Sequence, residues 1–197
     1  MLDVLFGALR ISTPYTLAAL GGTLSERAGI VNIALEAVLL MGALAHAVVC
    51  HSTGSVWLGL VAAVAAGVAV MGVHGALCIH ARANHIIVGV GLNLLAVGLS
   101  RFALKALYNS AANGPRTPGF EDSAWSVVQG FPLLGAILDS PLVLLSFVLV
   151  PCCAFLLQDT PWGLRVRAVG MHPQAAESQG VHVVGTRWSA LVACGAL

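Results

Sequence analysis

Asn32 and Glu36 stand four residues apart inside a long hydrocarbon run, with Ser25, Glu26 and Arg27 just ahead of them and Asn93 near the middle of a later apolar run. A spacing of four sets two side chains on one face of a helix, one turn apart. An ionised carboxylate at membrane depth costs about 3 kcal/mol on insertion scales, so Glu36 must face protein or water. Two readings stay open for these groups. In one they are structural: Glu36 bonds a neighbouring helix or pairs with Arg27, Asn32 caps the helix start, and Asn93 makes an interhelical hydrogen bond. In the other they touch a polar solute crossing the bundle.

A second group lies in residues 162–180, WGLRVRAVGMHPQAAESQG, a polar stretch between two apolar runs. Pro173 suits a first helical position, residues 174–179 favour helix, and Gly180 suits the stop. Ala175 and Ala176, beside Glu177, offer a small surface that a groove in a soluble partner could accept; Arg165 and Arg167 could anchor the segment to that partner or to lipid headgroups. The alternative is an ordinary basic loop. The chain cannot bind and hydrolyse ATP through a Walker-type phosphate loop, because such a loop needs Lys beside Ser or Thr, and the only lysine, Lys105, precedes Ala106. No HExxH or GxSxG pattern is present. The histidines lack the spacing of four and the acidic companion of a metal site, and the five cysteines show no paired spacing.

The elements that must position these groups follow from composition. Of 197 residues 58% are hydrophobic and 9% charged, with a mean hydropathy of +0.93, against about 25% charged in a soluble domain. This is an all-α, polytopic transmembrane bundle, and its formal net charge of +1 gives no nucleic-acid surface. A helix of about 20 apolar residues crosses the hydrocarbon. Five full spans are expected at 5–24, 30–50, 56–79, 86–107 and 141–157, with a sixth opening at Trp188. The first run lacks the charged region, short apolar core and small-residue cleavage site of a secretory signal, so it is expected to be retained. Glycines along the spans permit close helix approach.

Residues 108–140 carry Arg116 against Glu121, Asp122 and Asp139, whereas Arg82, Arg165, Arg167 and Arg187 lie in the neighbouring loops. The positive-inside rule puts the arginine loops and the 25–29 turn in the cytoplasm. The chain then reads as one membrane domain, residues 1–197, with an external loop at 108–140 and a cytoplasmic coupling loop at 159–186. The external loop holds an apolar FPLLGAIL piece suited to the outer surface, either receiving a binding protein or simply connecting two spans.

Three ordered stretches carry a resemblance: TPYTLAALGGTLSERAGIVNIALEAVLLMGA (13–43), IIVGVGLNLLAVGL (86–99) and PWGLRVRAVGMHPQAAESQGV (161–181). Together they resemble bacterial ABC transporter permeases of the simple-sugar and nucleoside uptake branch, with SERAGIVNIALE most similar to the nucleoside members. Ala37 stands where those members carry glycine, and Met171 and His172 stand where they carry Glu and Asn. The resemblance implies a multi-pass permease subunit in the bacterial inner membrane, not itself an enzyme and without a cofactor of its own. It implies a second permease subunit, a cytoplasmic ATPase that binds ATP and Mg and docks through the helix at 173–180, with Arg165, Arg167, Gly170, Pro173, Ala175, Ala176, Glu177 and Gly180 as the coupling residues, and an extracellular solute-binding lipoprotein. It also implies further helices beyond residue 197, so that the chain is part of a longer protein. Nucleosides are the expected solute. Simple sugars or branched-chain amino acids are the alternative, and an ion-coupled secondary transporter using Glu36 or a membrane scaffold are the rival classes.

Overall fold

The computed structural model describes residues 2–109, 114 and 141–197, and these fold almost wholly into helices. In chain order they are α1 (Leu2–Arg27), α2 (Leu35–Thr53), α3 (Val56–Gly75, prolonged by a π-helical turn Ala76–His80), α4 (His85–Tyr108), α5 (Pro141–Gln158), α6 (Pro161–Met171), α7 (Pro173–Ser178) and α8 (Val183–Ala196). The external loop lies outside the described residues, save its first two residues and Gly114.

Leu35–Thr53, Val56–His80 and His85–Tyr108 are each long and apolar enough to cross a membrane, and Leu142–Gln158 with Pro161–Met171 adds a fourth only as a pair bent by 70°. Among the described residues that makes three or four candidate spans where five were expected. Helix α1 is long enough but is diluted by polar residues. Its Ser12, Thr13, Thr16 and Thr23 hydroxyls each donate to a carbonyl three or four residues back, so the helix satisfies its own polar groups.

The sharp bend has a local cause. Thr160 accepts from the Gly163 amide (3.2 Å) at the start of α6, and Pro161 supplies a first helical residue that needs no amide partner. Gly163 is obligatory there, because a Cβ would run into the carbonyls of Leu156 and Leu157.

Helix α8 is the keystone, packed between α1 and α3, while α4 rests on α2 and α5 on α1. The core joins Ile30, Ala34 and Ala37 to Met71, Leu92, Ala96, Leu191 and Cys194. Approach along the α3–α8 seam is backbone to backbone: a Cβ on Gly195 would stand 2.7 Å from the Gly67 carbonyl oxygen. Van der Waals contact, rather than the hydrophobic effect, holds helices together in lipid. Gly67→Val should therefore lower the midpoint of thermal unfolding in detergent by about 5 °C, since overpacking costs about 1–3 kcal/mol. Gly72→Val, at a position with nothing within 4 Å of its Cβ, should leave the midpoint unchanged. Equal midpoints for the two variants would remove the seam from this account.

Candidate functional site

The second span does not begin where the apolar run begins. Residues 30–34 are non-helical and α2 starts only at Leu35, so Asn32 and Glu36 do not share a helical face, contrary to the spacing argument. Gly29 takes a positive φ of 80°, which turns the chain after α1. Side chains then alternate as in an extended strand: Ala28, Ile30, Asn32 and Ala34 are buried while Val31 and Ile33 are exposed.

Unwound backbone at membrane depth is tolerated only where its polar groups find protein partners or water. Here several of the partners are side chains. The Val31 amide donates to Nδ1 of His85 (3.3 Å), and the Ala34 amide to Oδ1 of Asn32 (3.0 Å). Asn93, reaching across from α4, accepts from the Ala37 amide (2.9 Å) and donates to the Ile33 carbonyl (3.0 Å). It thus caps α2 from another helix, satisfying a third-position amide that a local Ser or Asp usually serves. Asn32 itself is buried, with its Nδ2 donating to Cys194 Sγ (3.2 Å) and Met71 Sδ (3.4 Å).

Glu36 sits exposed in the first turn of α2 and accepts from Asn93 Nδ2 (3.4 Å). The expected alternative pairing with Arg27 is not made among the described residues, because Arg27 lies on the last turn of α1 and faces a cavity shared with α5. Glu26 is exposed as well, and its carbonyl accepts from the Gly29 amide (2.9 Å) in the turn that closes α1.

The segment 161–180 folds back onto this break. Gly170, near the end of α6, stacks on the 27–29 turn so closely that a Cβ would collide with the Arg27 carbonyl and lie 3.1 Å from the Gly29 amide nitrogen. After Met171 comes the short helix α7, with Pro173 at its start and Gly180 at φ 82° after its end. The Gly180 amide bonds the Glu177 carbonyl (2.9 Å) and the Val181 amide the Ala176 carbonyl (3.1 Å), the reciprocal closure of a helix ended by glycine. His172 supplies no side-chain cap to α7. Ala175 and the Glu177 side chain are exposed, but Ala176 is only 6% accessible, so one alanine of the expected pair, not both, is open to a partner. A helix places successive residues about a quarter turn or more apart, which turns Ala176 inward once the helix docks.

Arg165 is exposed and lines a groove of about 490 Å³ with Gly180, His182 and Ser189, while Arg167 Nη2 donates to the Gln158 carbonyl (3.1 Å), one of the orphan acceptors at the end of α5. Sequence reading did not single out His85, Met71, Cys194 or Gly29 as parts of the break. Gly29, at the edge of the polar SERAG turn, was the one detectable signal.

The family described as the branched-chain amino acid transport system, permease component, matches residues 4–197. The chain is 35% identical to the guanosine ABC transporter permease protein NupQ of Bacillus subtilis, covering 93% of this chain and 60% of that protein. It is 32% identical to the nucleoside ABC transporter permease protein NupC of Lactococcus lactis subsp. cremoris (94% and 61%), and 34% identical to the putative glucose ABC transporter permease protein TsgC13 of Haloferax volcanii (98% and 59%). No solved structure matches. The fold and these matches define a multi-pass membrane protein of the permease class. This chain belongs to the branched-chain amino acid transport system permease family, and it spans about 60% of the length of the first relative named here.

Proposed function

We propose that the chain is the membrane part of a permease subunit in an ATP-driven importer of the bacterial inner membrane, carrying nucleosides delivered by an extracellular binding lipoprotein. On this reading α1 to α5 supply the five spans and α8 opens a sixth, with the arginine-bearing end in the cytoplasm. ATP and Mg bind a separate ATPase, which docks on α6 and α7. The observation that carries the proposal is the stacking of Gly170 on the 27–29 turn, which ties the projecting α6–α7 pair to the unwound stretch before α2. Movement of a docked ATPase would pass through that contact to Asn32, Asn93 and Glu36. An exposed carboxylate on a membrane helix calls for a partner subunit or water beside it, and Glu36 with Asn93 is the wall we assign to the solute pathway between two permease subunits. The partner ATPase must bind the two states of the bundle with unequal affinity to shift between them.

The names of the nucleoside relatives support the solute class, and the glucose relative supports simple sugars as the second reading. Uptake of labelled guanosine into vesicles holding the full complex should require ATP and be unaffected by excess glucose. Competition by glucose would favour the sugar reading. Uptake driven by a proton gradient without ATP would overturn the importer. Ala175→Trp should cut uptake about tenfold and remove the stimulation of ATP hydrolysis by the binding protein, with membrane insertion unchanged, because the ring would occupy the docking surface. Unaltered uptake by this variant would move the ATPase contact elsewhere.

A further inference from the structure

A cavity of about 590 Å³ opens between the C-terminal halves of α1 and α5, and it shares Arg167 with the helix α6 assigned to the ATPase contact. Leu20, Val150 and Leu157 form an apolar wall, and Thr23, Arg27, Asp159 and Arg167 stand at its polar end. Its size lies within the roughly 300–1,000 Å³ of sites that take small organic ligands.

The polar end is short of partners. Arg27 is exposed, and its guanidinium makes no hydrogen bond or ion pair among the described residues. Arg167 commits one terminal nitrogen to the Gln158 carbonyl, while its buried Nε has no partner. Asp159 forms no ion pair with either arginine, and Thr23 donates its proton to the Ala19 carbonyl (2.7 Å), leaving an acceptor oxygen at the cavity. Two guanidinium groups and one carboxylate leave the lining with one net positive charge.

Place matters as much as charge. The cavity sits where α5 ends and the chain bends by 70° into α6. Apolar wall below and forked cations above match one kind of molecule, an acyl chain joined to a phosphate. Guanidinium groups grip phosphate oxygens in paired hydrogen bonds, and basic pockets between membrane helices hold acidic headgroups.

We propose that this cavity binds an anionic phospholipid, its phosphodiester between Arg27 and Arg167, its acyl chains along Leu20, Val150 and Leu157, and a headgroup hydroxyl donating to Asp159. A phosphodiester cancels the one positive charge, whereas a choline headgroup would bring a bulky cation back among the guanidinium groups. The proposal rests on these residues alone and not on nucleoside import, so failure of either leaves the other standing.

The test is lipid retention by the complex purified in detergent and exposed to vesicles of equal phosphatidylglycerol and phosphatidylcholine, read by native mass spectrometry. Phosphatidylglycerol should be retained at least tenfold over phosphatidylcholine, one per copy of this chain. Arg27→Gln should reduce that retention about tenfold, and Arg27→Lys should restore part of it through charge without the fork. Equal retention of the two lipids by the unaltered complex would overturn the proposal, and this arm needs no variant to assemble. Unchanged retention in Arg27→Gln would also overturn it, as would displacement of the lipid by millimolar inorganic phosphate, which would mark a site for soluble anions.

Discussion

Gly170→Val is expected to reduce ATP-driven uptake about a hundredfold while leaving the ATPase bound. The added side chain would meet the Arg27 carbonyl and press on the Gly29 amide, and both are backbone atoms that no rotamer change can move aside. Overpacking of this kind costs about 1–3 kcal/mol, and backbone against backbone belongs at the upper end. The cheapest relief is for α6 to lift from the 27–29 turn, since α7 and its exposed Ala175 face need not change. Hydrolysis would then continue without transport. Met171→Ala, one residue on and 76% exposed, should transport normally, which separates the stacking contact from any general disturbance of the loop. Should Gly170→Val retain uptake within twofold of the unaltered chain, motion does not pass through this contact. Should it lose the ATPase altogether, the defect is one of folding.

The sequence made the projecting helix α7 readable because its ends carry their own punctuation. Proline fits the first turn and glycine alone takes a φ of 82° without strain, so both limits are set by residues within the segment. Apolar runs likewise marked the core of α2, α3 and α4, since a helix in lipid must satisfy its own backbone. The start of α2 was not readable, and the reason is distance along the chain. Residues 30–34 look like more of the same span, but the groups that hold them unwound lie 54 residues away at His85 and 162 residues away at Cys194. Periodicity reports local preference, and a remote amide that can cap α2 at Ala37 overrides it. The suggested pairing of Arg27 with Glu36 fails for a similar reason, because the turn at Gly29 separates the last turn of α1, where Arg27 faces the cavity shared with α5, from the first turn of α2. Ala176 was taken for an open surface because six residues are too few to reveal which side of a helix will dock.

Asn93 is where that remote control can be measured. Asn93→Leu removes the acceptor for the Ala37 amide and the donor to the Ile33 carbonyl together. The amide of the buried Ala37, left without a partner, costs about 1–3 kcal/mol, more than the roughly 0.6 kcal/mol average of polar contacts between membrane helices. Those averages describe side chains that find other partners when separated, while an amide fixed at the start of α2 has nowhere else to turn. Asn93→Leu is therefore expected to lower thermal stability in detergent markedly and abolish uptake. Asn93→Asp distinguishes the two bonds, because it keeps an acceptor for Ala37 but loses the donor and sets a second carboxylate beside Glu36. It should fold better than Asn93→Leu and still transport poorly, and Glu36→Gln in the same chain should recover much of the loss by removing the repulsion and supplying an amide. A double-mutant cycle over these two positions would then show a coupling of about 1 kcal/mol or more. Additive effects would detach Glu36 from the cap, leaving Asn93 a helix stop and Glu36 no part in the wall assigned to the pathway.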